Sequence, residues 1–152
     1  MSEAALSSSE SQNLHRIAGM LVPASQEYDI PGADDRLIFA DIMGSLGRDF
    51  ADVRTALATV STLAGGSFAD LEDGQAASVL EQLIASENAA AVILGRVILQ
   101  CYYRDDRVLQ SLGLEARPPF PEGHTLEQGD WSLLDAVRAR PKLWRDDREV
   151  LR

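Results

Sequence analysis

The chain has 152 residues, of which 45% are hydrophobic, and this is enough to form one small domain with a core of its own. Its formal net charge is −10, from 24 acidic and 14 basic residues. This balance argues against nucleic acid as a partner, because phosphate binding needs a clustered positive surface. The single cysteine, Cys101, cannot form an internal disulfide and lies in an apolar stretch, so we interpret it as a core residue.

The first half of the chain predicts three amphipathic helices. Ser7 and Glu10 have the spacing of a capping box at the start of the first helix. Asp34 and Asp49 are the predicted N-caps of the second and third helices. The pair Gly65-Gly66 ends the third helix.

Two longer helices are predicted next, with Asp73 and Asn88 as their N-caps. The second of these, from Ala89 to about Arg104, is apolar on nearly every side, so we predict that it is the central helix of the bundle. Buried arginines need acidic or carbonyl partners, and these could lie in this chain or on another one. The polar residues of this helix form one narrow stripe: Arg96, Gln100 and Arg104.

The last third of the chain has a different character. A brief helix ends at Gly113, and the proline-rich sequence at 117–121 favours an extended path. We therefore predict an all-α fold: a flexible N-terminus at 1–10, a single small helical bundle at 11–113, and an extended, proline-rich arm with a short helix at 114–152. The arm has too few apolar residues for a core of its own, so they must pack against something else.

Motifs for catalysis, cofactor binding or metal binding are missing from the sequence. No nucleophile elbow, phosphate loop or dinucleotide fingerprint is present. His15 and His124 have no second metal ligand at helical or zinc-binding spacing, which leaves a metal site built from carboxylates alone as an open alternative. We therefore assign no catalytic, cofactor-binding or metal-ligating residue to this chain.

Neither a membrane span nor a leader is predicted. The most apolar run, residues 89–103, is about 22 Å long as a helix and contains Arg96 and Gln100, so it is too short and too polar to cross a bilayer. Residues 1–12 are polar and show no export signal. We expect a cytoplasmic protein, periplasmic only if it is exported with a partner.

The sequence favours protein binding instead. Tyrosine, tryptophan and arginine are common interface anchors, and prolines lower the cost of ordering an extended arm. Alternatively, one tyrosine of the Tyr102-Tyr103 pair is a core residue, the arginines are solvated and the arm folds back on its own bundle. The candidate partner-binding residues are Arg96, Tyr102, Tyr103, Arg107, Arg117, Pro119, Phe120, His124, Trp131 and Trp144.

Two blocks in order are the most specific part of the chain: residues 102–108 (YYRDDRV) with the following Leu112-Gly113, and residues 117–123 (RPPFPEG). Weaker matches lie at 17–23 and at the turn 31–33 (PGA). Over roughly residues 14–124 the chain resembles the gluconate 2-dehydrogenase subunit 3 family. Its members are small subunits that accompany flavin-dependent oxidoreductases of the glucose–methanol–choline (GMC) type.

The resemblance implies a heteromeric dehydrogenase or oxidase. The large partner would carry FAD and take hydride from an alcohol or sugar, while this chain, with no cofactor of its own, would bind and stabilise that partner. Many members of the family carry a twin-arginine leader that is not seen here, and His124 stands where an aromatic residue is common. Export is therefore not expected.

Two other classes of function are compatible with the same residues. One is a homo-oligomeric helical adaptor that packs its arm onto a second copy. The other is a small helical enzyme or ligand-binding protein with a pocket lined by His15, Tyr102 or Tyr103.

Overall fold

The computed structural model describes residues 5–118, 120–124 and 127–141. The chain divides into two compact units, Met1–Arg117 and Pro118–Arg152. Within the described ranges the regular elements are helices, and one isolated antiparallel bridge joins Ser25 to Ile30. The predicted all-α class is confirmed.

The described part of the first unit contains six α-helices, with short 3₁₀ turns at Gly47–Asp49 and Phe68–Asp70 on either side of the third. In the second unit a 3₁₀ turn, Trp131–Leu134, runs directly into a seventh helix, α7 (Asp135–Arg138). The helices of the first unit are α1 (Ser8–Leu21), α2 (Arg36–Ser45), α3 (Phe50–Ala64), α4 (Asp73–Ala85), α5 (Ala89–Tyr102) and α6 (Asp106–Ser111).

Two predicted helix starts are confirmed by their hydrogen bonds. Before α1, the amide of Glu10 donates to Ser7 Oγ (3.2 Å) and the amide of Ser7 donates to Glu10 Oε2 (2.7 Å), which forms the expected capping box. Before α5, the amide of Ala90 donates to Asn88 Oδ1 (2.8 Å). At the other end of a helix, Gly65 adopts the left-handed conformation (φ 68°) that closes α3.

The predicted N-cap of α2 is wrong by one residue. Asp35, not Asp34, accepts from the backbone amide of Leu37 (3.0 Å). The carboxylate of Asp34 lies instead beside two glycines: a Cβ on Gly19 would sit 2.7 Å from Asp34 Oδ2, and one on Gly32 would sit even closer to Oδ1. The Asp34 carboxylate therefore fits at this position because neither glycine has a side chain.

The acidic residues that precede the next two long helices also differ from the prediction. The N-cap of α4 is Glu72, and Asp73 is the first helical residue. The Asp73 carboxylate lies 3.0 Å from Arg16 Nη2. Asp49 directly precedes α3 as predicted, but its side chain makes no capping hydrogen bond and lies 2.9 Å from Arg96 Nη2. Both carboxylates therefore form long-range ion pairs, and neither makes a capping hydrogen bond.

Helix α5 packs against both α2 and α3, as a central helix does. However, it is not enclosed: Val92 is 69% exposed and Leu99 is also exposed. One apolar side of the most apolar helix is therefore left open. Its inward-facing residues are Ala90, Leu94, Val97, Ile98, Cys101 and Tyr102.

The unit boundaries differ slightly from the predicted ones. Helix α1 begins at Ser8, before the predicted bundle start at residue 11. The first unit continues to Arg117, past the predicted end at Gly113. Within the described ranges no single helix is long and apolar enough to cross a bilayer, and α4 and α5 pass that test only as a pair bent by 117°.

Candidate protein-binding surface

The two tyrosines at the end of α5 have different surroundings. Tyr102 is 3% exposed and belongs to the core, whereas Tyr103 is 54% exposed. Their rings meet edge to face with centroids 5.2 Å apart, a favourable aromatic geometry. The sequence named both tyrosines as candidate partner-binding residues and left open that one of them is a core residue. Tyr102 is that core residue, and Tyr103 is exposed.

Arg107 links the starts of two helices. Its Nη2 donates to Asp35 Oδ1 (2.7 Å) and to Asp105 Oδ2 (2.9 Å), and its Nε donates to Asp105 Oδ1 (2.9 Å). Asp35 is the N-cap of α2, and Asp105 is the N-cap of α6 through the backbone amide of Arg107 itself (3.0 Å). The guanidinium therefore pairs in a bidentate way with Asp105, and its single charge-assisted hydrogen bond to Asp35 links α6 to α2.

The electrostatics of this cluster keep all three groups charged. Hydrogen bonds from Arg107 are the main reason that the pKa values of Asp35 and Asp105 lie below the usual range of a carboxyl group. The same bonds raise the pKa of Arg107. A cluster that is ionised throughout the neutral range provides a fixed surface and is poorly suited to proton transfer.

The arginines of the α5 stripe find acidic partners within this chain. Arg104 donates to Asp41 Oδ2 from Nε (3.0 Å) and Nη2 (2.6 Å), and to Ser45 Oγ (2.7 Å). Arg96 Nη2 lies 2.9 Å from Asp49 Oδ1. Of the two possibilities that the sequence left open, internal partners or partners on another chain, the structure shows the internal one for both arginines.

Cys101 is 2% exposed and is a core residue, as its apolar surroundings in the sequence indicate. Burial raises the pKa of its thiol, which disfavours the reactive thiolate. Its sulfur lies 3.6 Å from Arg104 Nη2. These surroundings favour a packing role.

A surface cavity of about 620 Å³ lies between the loop 24–31 and α6. The loop is closed by the bridge between Ser25 and Ile30, and Tyr28 is exposed near its tip, beside Asp29 at φ 50°. Arg107 also lines the cavity. Sequence reasoning identified a turn here but missed Tyr28. The available signal was the single aromatic residue of this loop, whose other apolar residues are Ala24, Ile30 and Pro31.

The turn 31–33 connects the weaker match at 17–23 to the block 102–108. The amide of Ala33, in the turn 31–33, donates to the carbonyl of Val22 (2.8 Å) at the end of α1. Two residues further on, Asp35 binds Arg107 of the block 102–108. Packing within this fold is therefore one reason for these residue types at these positions.

The remaining candidates lie in other places. Arg117 Nε is 2.5 Å from Glu115 Oε2. His124 is exposed, and so is His15, whose ring meets Phe39 edge to face at 4.8 Å. No group of three or more potential metal ligands occurs within residues 5–118, 120–124 and 127–141. Pro119 and Trp144 lie outside the residues that the structure describes.

The described part of the second unit has several large apolar side chains that are exposed. Phe120 is 86% exposed and Leu133 is 77% exposed. Trp131 is also exposed, and its indole Nε1 donates to Gln128 Oε1 (3.4 Å). Exposed aromatic and aliphatic residues on a short helix are a typical feature of a binding segment. Leu134 and Val137 are also exposed.

Comparison with known proteins adds no identification: no family model, no curated protein and no solved structure matches this chain.

Proposed function

We propose that this chain is the non-catalytic small subunit of a heteromeric oxidoreductase, in which it binds and stabilises an FAD-dependent large subunit of the GMC type. The large subunit would bind FAD and oxidise an alcohol or sugar at a CH–OH group. The resemblance of residues 102–123 to subunit 3 of gluconate 2-dehydrogenase supplies the partner class. The structure supplies an independent reason to expect a protein partner of some kind.

The observation that carries the proposal is the exposed apolar segment from Trp131 to Val137. Trp131, Leu134 and Val137 follow one another at intervals of three residues along the 3₁₀ turn and α7, and all three are exposed. Burying large apolar side chains contributes about 1.5–3 kcal/mol each. A segment of this composition is stabilised when a partner covers it.

The described surface around α6 supports a binding role over a catalytic one. Arg107, Asp35 and Asp105 form a network that stays ionised, so it can present fixed charges to a partner, and Tyr103, four residues before Arg107, is also exposed. Fixed, preorganised side chains lose little conformational entropy on binding. A small subunit with such a surface stabilises its partner because it binds the folded state alone.

The test is co-expression of the full chain with the flavoprotein encoded nearest to its gene, followed by size-exclusion chromatography with flavin absorbance. We expect one yellow peak that contains both chains, with oxidoreductase activity that is lost when this chain is omitted. A colourless peak of this chain alone, with an active flavoprotein eluting separately, would refute the proposal. A colourless oligomer of this chain would favour the homo-oligomeric adaptor.

Variants locate the interface in the same experiment. We expect Trp131→Ala to weaken the complex by about 2 kcal/mol or more, as is usual for a buried interface tryptophan. Leu37→Ala, at an exposed apolar position on α2, is the matched control and should leave the affinity unchanged. An unchanged affinity for Trp131→Ala would remove this segment from the interface.

A further inference from the structure

An apolar groove lies between α1, α4 and α5. It has a cavity volume of about 190 Å³, and its lining includes Leu21 of α1, Leu80 and Ile84 of α4, and Val92 and Ile98 of α5. Val92 and Ile84 are 69% and 73% exposed, so the apolar surface continues out of the groove on both rims. Contiguous apolar surface of this kind marks an interaction site.

The dimensions of the groove match a helix. Along α5 its lining runs from Asn88 to Ile98, which corresponds to about 15 Å, or nearly three turns. The cavity is smaller than the roughly 300–1,000 Å³ of a typical small-molecule site, and it suits a few apolar side chains inserted from outside. Gly95 lies in the lining, and a Cβ built there would meet nothing within 4 Å. A partner side chain has room at this point.

The charged residue at the groove indicates which side chains a bound helix should carry. Glu87 is the sole charged residue in its lining, and also the sole charged residue in the sequence from Gln82 to Gly95. A cationic side chain beside the apolar anchors of the occupant would pair with it. A second copy of this chain is disfavoured as occupant, because each copy carries a net charge of −10 and would bring a second Glu87.

We propose that this groove binds an amphipathic helix of a partner protein, with apolar residues at i, i+4 and i+7 and a lysine or arginine that faces Glu87. Helix-in-groove recognition uses this spacing. The groove lies in the first unit and its proposed ligand does not depend on a flavoprotein, so this inference stands or falls separately from the proposed function.

The test uses the full chain, labelled with ¹⁵N, and a synthetic helical peptide of about 15 residues. The peptide carries leucines at i, i+4 and i+7 and lysines at the end designed to face Glu87. We expect saturable shifts of the amide signals of Val92 and Gly95, with an affinity that falls as salt is added. A second peptide with glutamates in place of the lysines should bind several-fold more weakly.

Two variants and a matched control make the test specific. Gly95→Leu fills the open space and should weaken peptide binding about tenfold or more. Gly44→Leu, at another helical glycine with nothing within 4 Å of its Cβ position, should have no effect. Glu87→Lys should reverse the order of the two peptides, and this reversal does not depend on how well Gly95→Leu folds.

The proposal is overturned if neither peptide gives saturable shifts, or if the shifts lie away from α4 and α5. It is also overturned if Gly95→Leu and Gly44→Leu weaken binding equally. Shifts at Val92 and Gly95 that depend on protein concentration without any peptide would show that a second copy occupies the groove, against the charge argument.

Discussion

Two sides of α5 differ in the contacts that they make, and the sequence of the helix does not predict this difference. On one side of α5, Arg96 forms an ion pair of 2.9 Å with Asp49, and Arg104, two residues beyond the end of the helix, forms one of 2.6 Å with Asp41. Another side, with Ala91, Leu94, Gly95 and Ile98, lines the groove, and the exposed Val92, one turn before Arg96, lies at its rim. In this helix the polar stripe is engaged with the rest of the domain, and part of the apolar surface is not.

The difference teaches that the hydrophobicity of a helix measures how much of it can be buried and not which side is buried. An arginine with a carboxylate partner can sit at a helix contact, although exposed pairs contribute only about 0–1 kcal/mol. Apolar surface left open lowers solubility, and its presence is explained when it serves as a binding site. The following predictions test this contrast, from the largest expected effect to the smallest.

Ile98→Ala should lower the free energy of unfolding by about 3 kcal/mol, because it removes a fully buried side chain and leaves a cavity. Val92→Ala, on the open side of the same helix, should change it by less than about 0.5 kcal/mol. Urea denaturation followed by circular dichroism measures both. A large loss for Val92→Ala would mean that the groove is covered in solution.

Helix α1 repeats the contrast, since Leu21 lines the groove while Asn13 is a buried polar residue, 1% exposed. Asn13 Nδ2 donates to Ser61 Oγ (3.3 Å), and its Oδ1 accepts from the amide of Ala69 (2.9 Å). Asn13→Ala leaves that amide unsatisfied and should cost about 2 kcal/mol of stability.

The control for this prediction is Gln12→Ala, at an exposed position next to it on α1, which should leave the urea midpoint nearly unchanged. If both variants lose the same amount, the cost comes from the helix in general and not from the link between α1, α3 and the turn at Ala69.

Arg107→Met should lower the stability at pH 7 by about 1 kcal/mol, a value reduced for the partial exposure of the pair. Because Arg107 lowers the folded-state pKa values of Asp35 and Asp105, its contribution is complete above the unfolded-state pKa of about 4. The contribution is lost as the pH falls through the lower folded-state values.

The measurement is a pair of urea titrations, at pH 7 and at about pH 2. The difference between wild type and Arg107→Met should shrink at the acidic pH. Arg36→Met, at an exposed arginine on α2, should show no such change. A difference that stays constant between the two pH values would show that packing of the arginine side chain, and not its charge, holds α6 against α2.

Local signals in the sequence were sufficient for the helical class, the capping box at Ser7 and Glu10, and the Asn88 cap, because each depends on residues within one turn of the helix. Local signals did not decide which of two adjacent acidic residues is the N-cap. Either Asp34 or Asp35 satisfies the local rule for an N-cap, and the tertiary contact with Arg107 favours Asp35.

The candidate site shows the same limit. Tyr102 and Tyr103 are neighbours in sequence, but successive residues on a helix point in different directions, so composition alone could not assign one to the core and the other to the surface. The groove could not be predicted from the sequence either, because it depends on how α1, α4 and α5 pack together. For the segment at Trp131 the sequence predicts that the apolar residues pack against something else, because they have too few neighbours to form a core, and this stays a prediction.

The smallest expected effect has the opposite sign. Gly95→Ala should raise the free energy of unfolding by about 0.5–1 kcal/mol. Alanine has a higher helix propensity than glycine, and a Cβ at this position meets nothing within 4 Å. Gly44→Ala in α2 should give the same gain for the same reason. If the open side of α5 is a binding site, Gly95→Ala alone should also weaken the leucine peptide. Thermal unfolding and the peptide titration, measured on both variants, separate these effects: a loss of stability confined to Gly95→Ala would mean that the space above this glycine is already filled.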